Sequence, residues 1–176
     1  MFLIYLIIMK RTTIISIVAI ILVIGGIIWI ARSDSQNSAA SLITNSNGII
    51  ITEEANYDFG VISMANGKVN HQFKIENTSN EKVIINKVYT SCMCTTASVF
   101  DEFGNKLGVF GMPGHDGSSK ADIEISGRKT FIVEAVFDPA AHGPSGVGLA
   151  KRSIYIETNS EKMPELEFSI QAMVTK

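Results

Sequence analysis

The spacing of apolar residues divides the chain into two parts with different periodicities. Residues 12–31 form a predominantly apolar run without a charge, whereas apolar and polar positions alternate from Ile49 onward. An alternation with period two is typical of β-strands that bury one face. No amphipathic helical pattern follows residue 32, so the crossover helices of an open α/β sheet are not indicated. The pattern therefore predicts an all-β domain behind an N-terminal apolar segment.

About seven short strands can be predicted from this alternation and from β-branched runs. The clearest segments are residues 69–76, 83–90, 131–137, 154–156 and 166–174. Turn sequences such as Asn66-Gly67 and Ser126-Gly127 separate them. Short strands at this spacing are typical of an immunoglobulin-like β-sandwich, which we predict for residues 48–176. Two longer segments rich in glycine and proline, residues 101–121 and 139–148, are predicted to be loops.

The apolar run at residues 12–31 is long enough to cross a bilayer as a helix, because about 20 residues span the hydrocarbon layer. Lys10 and Arg11 precede it, which predicts a cytoplasmic N-terminus and an exported C-terminal domain. A cleaved signal peptide is the alternative, but its apolar region has only about 7–15 residues. We hypothesise that translation starts at Met9, which directly precedes the basic pair.

These observations predict a single-pass protein of the cell membrane in four parts. They are a cytoplasmic stub at residues 1–11, a transmembrane helix at 12–31, a flexible tether at 32–47 and the extracytoplasmic sandwich at 48–176. The tether is predicted from its serine, asparagine and alanine content.

Composition excludes several classes of function. The 176-residue chain has a net charge of −2, so it lacks the basic balance of a nucleic-acid-binding protein. It has only two cysteines, which excludes a small fold held by several disulfides. No nucleophile elbow or other catalytic set can be identified, so we expect a protein that is not an enzyme.

Four segments together resemble a known family. They are residues 58–62, 73–78, 91–96 and 136–139, which read DFGVI, FKIENT, SCMCTT and VFDP. Their combination resembles the bacterial domain-of-unknown-function family 1573, over roughly residues 50–174. The resemblance implies an immunoglobulin-like sandwich of an exported bacterial protein and implies no activity. Met93 replaces the glycine that usually lies between the two cysteines of this family.

The cysteines and two of the three histidines fall at strand ends or in predicted loops. Residues two apart in a regular strand share a face, with Cα atoms about 6.5 Å apart, near the upper limit for a disulfide. Two such thiolates could instead bind a soft metal together with imidazole and thioether ligands, which favours Cu(I) or Zn. The candidate ligands are Cys92, Cys94, His115 and His142, with Met93 and Met112 as auxiliary ligands.

Alternatives remain open for each of these residues. The cysteines could instead be buried small side chains, a strained local disulfide or a redox pair, and the loop histidines could be ordinary surface residues. His71 lies on the apolar face of a predicted strand, and we expect a structural role for it.

Two functions are therefore considered, and no cofactor is certain. The first is a non-enzymatic binding or interaction module with a partner protein in the cell envelope. The second is a protein that handles copper or zinc.

Overall fold

The computed structural model describes residues 45–115 and 118–176, which form a β-sandwich of ten strands. The predicted stub, the transmembrane helix at 12–31 and residues 32–44 of the tether lie outside the described residues. No helix within residues 45–115 and 118–176 is long and apolar enough to cross a membrane. The strands are β1 (Ile50–Thr52), β2 (Asn56–Ser63), β3 (Val69–Asn77), β4 (Val83–Thr90), β5 (Thr95–Phe100), β6 (Lys106–Phe110), β7 (Lys120–Ile125), β8 (Thr130–Phe137), β9 (Gly148–Thr158) and β10 (Glu165–Thr175).

The strands form two five-stranded sheets. Sheet A has the order β1-β3-β8-β5-β6, and sheet B has the order β2-β10-β9-β4-β7. Neighbouring strands are antiparallel except for β2, which lies parallel to β10. The all-β, two-sheet architecture predicted from the alternating pattern is confirmed.

The alternating apolar residues fill the space between the sheets. Phe73 of sheet A packs against Phe168 of sheet B with ring centroids 4.9 Å apart. Ile154 and Ile156 on the inward face of β9 are fully buried. Each such side chain contributes about 1.5–3 kcal/mol of hydrophobic free energy, which is the main source of stability in a domain without disulfides.

The predicted number of strands was wrong, since ten strands are present where about seven were expected. The predicted loop at residues 101–121 contains all of β6 and the start of β7. Strand β6 pairs only with β5 at the edge of sheet A, and its Leu107 and Val109 are 43% and 54% exposed. An edge strand buries little, so its sequence lacks the clean alternation that marks a half-buried strand.

His71 has the structural role that its position indicated. Its Nε2 atom lies 2.9 Å from a carboxylate oxygen of Glu54. Its ring stacks on Tyr57 at a centroid distance of 3.6 Å and meets Phe73 edge-on at 4.8 Å. The imidazole is thus part of an aromatic cluster at the side of the core.

Two connections between the sheets meet at one end of the sandwich. Residues 91–94 lead from β4 in sheet B to β5 in sheet A, and residues 138–147 lead from β8 in sheet A to β9 in sheet B. The Asp138 N–H donates to the Cys94 carbonyl at 2.8 Å, which holds the two connections side by side. The segment after β6 starts at the same end, because Thr90 donates its N–H to the carbonyl of Gly111 at 3.2 Å.

Candidate functional site

Cys92 and Cys94 lie in a tight turn between β4 and β5, not on a regular strand. The Thr95 N–H donates to the Cys92 carbonyl at 3.1 Å and closes the turn. The buried hydroxyl of Thr90 lies 3.0 Å and 2.9 Å from the carbonyl oxygens of Cys92 and Thr95, and so supports both ends. Ser91 donates its N–H to Ser153 of β9 at 2.9 Å. The turn is therefore anchored to both sheets.

Both cysteines are free thiols, and they differ in exposure. Cys92 is half-buried, whereas Cys94 is only 3% exposed and belongs to the hydrophobic core. The Cys94 N–H points to the Cys92 sulfur at 3.4 Å. The regular-strand geometry from which the disulfide distance was estimated does not apply here, because residues 92–95 form a turn.

His142 brings an imidazole to the more exposed sulfur. Its Nε2 atom lies 3.2 Å from the Cys92 Sγ atom. His142 directly precedes a short 3₁₀ turn, Gly143–Gly146, and its carbonyl accepts a hydrogen bond from the Ser145 hydroxyl at 2.6 Å. Gly143 has a φ angle of +56°, a conformation that favours glycine and lets the chain turn immediately after the histidine.

The ligand atoms of Cys92, Cys94 and His142 all lie within 4.8 Å of one another. Within the part of the chain that the structure describes, this is the group of three that could hold a metal ion. His115 is exposed in a turn, where its N–H donates to Met112, and it is not a member of the group. Met93, between the two cysteines in sequence, is 45% exposed, and Met112 is half-buried at the start of the neighbouring loop.

Arg152 is a member of the site that the sequence reasoning missed. Its Nε–H donates to the Cys94 Sγ atom at 3.0 Å, and its guanidinium lies 6.0 Å from the ring centroid of Phe137. One of its terminal nitrogens donates to the Lys151 carbonyl at 2.7 Å. The sequence did contain a signal for this role. Arg152 lies two residues before Ile154 in β9, so the period-two alternation places its charged side chain on the inward face.

The surroundings of the two thiols shift their pKa values in opposite directions. Partial burial would raise the pKa of Cys92, but hydrogen bonds from Cys94 and His142 and the charge of Arg152 outweigh it and lower the pKa to about 7. Burial raises the pKa of Cys94, and the adjacent Cys92 sulfur adds to this effect. Of the two thiols, Cys92 therefore ionises more readily in the metal-free protein.

A model of a protein family of unknown function, DUF1573, matches residues 50–105. The matched segment contains strands β1 to β5 and the Cys-x-Cys turn, so the resemblance drawn from the sequence is confirmed over these residues. A search of the curated proteins returns no match.

Several solved structures are similar in fold. A protein of unknown function from Porphyromonas gingivalis W83 is 15% identical, with a TM-score of 0.53 over 77% of this chain and 51% of that chain. This chain thus aligns with about half the length of that protein. A PapD-like domain of human CEP192 is also 15% identical, with a TM-score of 0.46 over 81% of this chain and 96% of that domain. At these identities the similarities concern the fold alone.

Proposed function

We propose that this protein is a non-enzymatic binding module whose ligand is a soft metal ion, Cu(I) or Zn(II), held by Cys92, Cys94 and His142. The observation that carries the proposal is the convergence of two thiol sulfurs and an imidazole nitrogen within 4.8 Å of one another. These three donors come from two separate connections, 50 residues apart in sequence, that meet at one end of the sandwich.

The donor spacing is close to that of a metal site. Metal–sulfur bonds of about 2.3 Å and metal–nitrogen bonds of about 2.0 Å place neighbouring donors of a trigonal or tetrahedral site roughly 3.3–4 Å apart. The Cys92 sulfur and the His142 nitrogen are 3.2 Å apart, so they would separate by less than about 1 Å on binding. A side-chain adjustment of His142, which is exposed, is sufficient for this change.

The groups around the sulfurs support them as anionic ligands. The Cys94 N–H points to the Cys92 sulfur, and the Arg152 Nε–H donates to the Cys94 sulfur. Hydrogen bonds of this kind orient metal ligands and stabilise their charged form. The lowered pKa of Cys92, about 7, means that part of this thiol is already ionised at neutral pH, so metal binding has fewer protons to displace.

The cell-envelope setting is part of the same proposal and rests on the sequence. Residues 12–31 would anchor the immunoglobulin-like sandwich outside the cytoplasm, where free thiols are not kept reduced. A bound metal would protect the pair from oxidation. The exposed thioether of Met93 would offer a soft auxiliary ligand at the surface, where an envelope protein partner could deliver or accept the ion.

Metal titration of the full-length protein in detergent tests the binding function. The reduced protein is titrated anaerobically with Cu(I) and, separately, with Zn(II), and bound metal and free thiols are counted after dialysis. We expect one tightly bound ion per chain and the loss of two reactive thiols. The Cys92→Ser/Cys94→Ser variant should bind none, and the matched histidine variant His115→Ala should bind as the unmodified protein does. Binding no stronger than that of the double variant would refute the proposal.

Membrane fractionation tests the anchor. We expect the full-length protein to stay in the membrane pellet after alkaline washing, and a variant lacking residues 12–31 to appear in the supernatant. External protease should digest the sandwich in spheroplasts without lysis. Release of the full-length protein by the alkaline wash would contradict the predicted anchor.

A further inference from the structure

We propose that Arg152 makes this metal site selective for monovalent Cu(I) over divalent Zn(II). The inference rests on the proposed metal-binding function and names its ion. It concerns the one cationic side chain that directly contacts a sulfur of the cluster in the described part of the chain.

Arg152 is held against the site from several sides. Its Nε atom lies 3.0 Å from the Cys94 sulfur, its Nη1 atom donates to the Lys151 carbonyl, and its guanidinium lies over the ring of Phe137. The side chain is half-buried at an inward position of β9, and these three contacts restrict its movement. A guanidinium stays protonated under all physiological conditions, so its charge is a constant part of the site.

No carboxylate cancels this charge locally. Within residues 45–115 and 118–176, no Asp or Glu oxygen lies within 4.0 Å of the Arg152 guanidinium, since none of the ion pairs includes it. The nearby carboxylate of Asp58 instead accepts hydrogen bonds from the Gln171 side chain and the Gly60 N–H. The positive charge of Arg152 therefore acts mainly on the cysteine sulfurs, one of which it contacts directly.

The charge of the filled site then depends on the ion. In the filled site, the two thiolates, the neutral imidazole and the guanidinium together contribute a charge of −1, to which the charge of the ion is added. A monovalent ion brings the cluster to neutrality, whereas a divalent ion leaves a charge of +1. Cys94 is 3% exposed and Arg152 is half-buried, and an uncompensated charge in such surroundings is costly. Without Arg152 the balance is reversed, because a divalent ion would then give the neutral site.

The number and type of ligands point the same way. Structural zinc sites are four-coordinate, and the group here supplies three protein donors. Thiolate and thioether sulfurs are soft ligands that favour Cu(I), and the exposed Met93 adds a thioether beside the cysteines. Arg152 thus affects the ratio of the affinities for the two ions, and it need not be required for metal binding itself.

Charge-neutralising variants of two neighbouring residues test this role. Arg152→Gln removes the charge and keeps an N–H donor, while Lys151→Gln makes the same change in charge at the adjacent exposed position. Competition titrations on the full-length protein give the Kd for each ion and the ratio Kd(Zn)/Kd(Cu). We expect Arg152→Gln to lower this ratio at least about tenfold, mainly by tighter Zn(II) binding, and Lys151→Gln to change it less than about threefold, because exposed charges are screened.

A charge-conserving variant separates charge from hydrogen-bond geometry. Arg152→Lys keeps the positive charge without the planar Nε donor, so its ratio should stay within about threefold of the unmodified protein. If Arg152→Gln does not fold, as shown by loss of the β-sheet circular dichroism spectrum, Arg152→Lys still tests the inference. A tenfold fall of the ratio in Arg152→Lys, or an unchanged ratio in a folded Arg152→Gln, would overturn the inference while leaving metal binding intact. Failure of the unmodified protein to bind either ion would instead refute the proposed function.

Discussion

Replacing His142 with alanine should make Cys92 less reactive at neutral pH and leave its reactivity unchanged in alkali. The His142 Nε2 atom lies 3.2 Å from the Cys92 sulfur and helps to lower the pKa of that thiol to about 7. The thiolate is the reactive form of cysteine. Removing the imidazole therefore raises the pKa, and fewer molecules carry the thiolate at pH 7.

The size of the effect follows from the exposure of the pair. A hydrogen bond to a charged group contributes about 1.5–3 kcal/mol when it is well shielded, and screening of the exposed His142 reduces this to roughly 1 kcal/mol. About 1 kcal/mol changes the thiolate-to-thiol ratio roughly fivefold, since one pKa unit corresponds to about 1.4 kcal/mol. With a pKa of about 7 in the unmodified protein, half of Cys92 is ionised at pH 7. The variant would have about one sixth ionised, a roughly threefold slower reaction.

The assay is alkylation of the reduced, metal-free protein by iodoacetamide between pH 5 and 10. Tandem mass spectrometry separates the product at Cys92 from that at Cys94. His115→Ala is the matched control, because its imidazole is exposed and lies outside the cluster. We expect the two histidine variants to differ at pH 7 and to agree at pH 10, where Cys92 is ionised in both. Identical pH profiles for His142→Ala and His115→Ala would refute the role assigned to the imidazole.

Two further predictions concern the stability of the sandwich. Asn77 is fully buried, and its amide nitrogen lies within 2.8–3.3 Å of three backbone carbonyls. Asn77→Ala should lower the free energy of unfolding, measured by urea titration, by about 3 kcal/mol, because it leaves buried carbonyls unpaired. The control variant Asn70→Ala, on the exposed face of the same strand, should lower it by less than about 0.5 kcal/mol. A Cβ atom at Gly127 would lie 2.4 Å from the carbonyl oxygen of Asn80, so Gly127→Ala should cost about 1–3 kcal/mol and Ser126→Ala much less. If Asn77→Ala and Asn70→Ala had the same free energy of unfolding, the role assigned to the buried Asn77 amide would be wrong. Equal values for Gly127→Ala and Ser126→Ala would likewise contradict the close packing of Gly127 against Asn80.

Much of the fold could be predicted from the sequence because strand alternation is a local property. Phe73 and Ile75 of β3, and Phe168 and Ile170 of β10, occupy the inward positions that their spacing predicted. Strand β6 was missed because it lies at the edge of sheet A. Edge strands have one neighbour and bury less, so their residues are under weaker constraint and their pattern is fainter.

The sequence by itself determined the chemistry available at the site. Cys92 and Cys94 are two residues apart, so their proximity required no fold, and His142 was one of two candidate histidines in the predicted loops. The tertiary structure alone brought together Cys92 and His142, which are 50 residues apart, and Cys94 and Arg152, which are 58 residues apart. The physical reason is that β5 and β8 pair antiparallel in sheet A, with Thr95 opposite Phe137, so the connection that enters β5 and the connection that leaves β8 meet at the same end. Whether His142 or His115 lies beside the cysteines, and whether Arg152 contacts them, depends on how these connections are placed in the fold. No local sequence pattern contains that information.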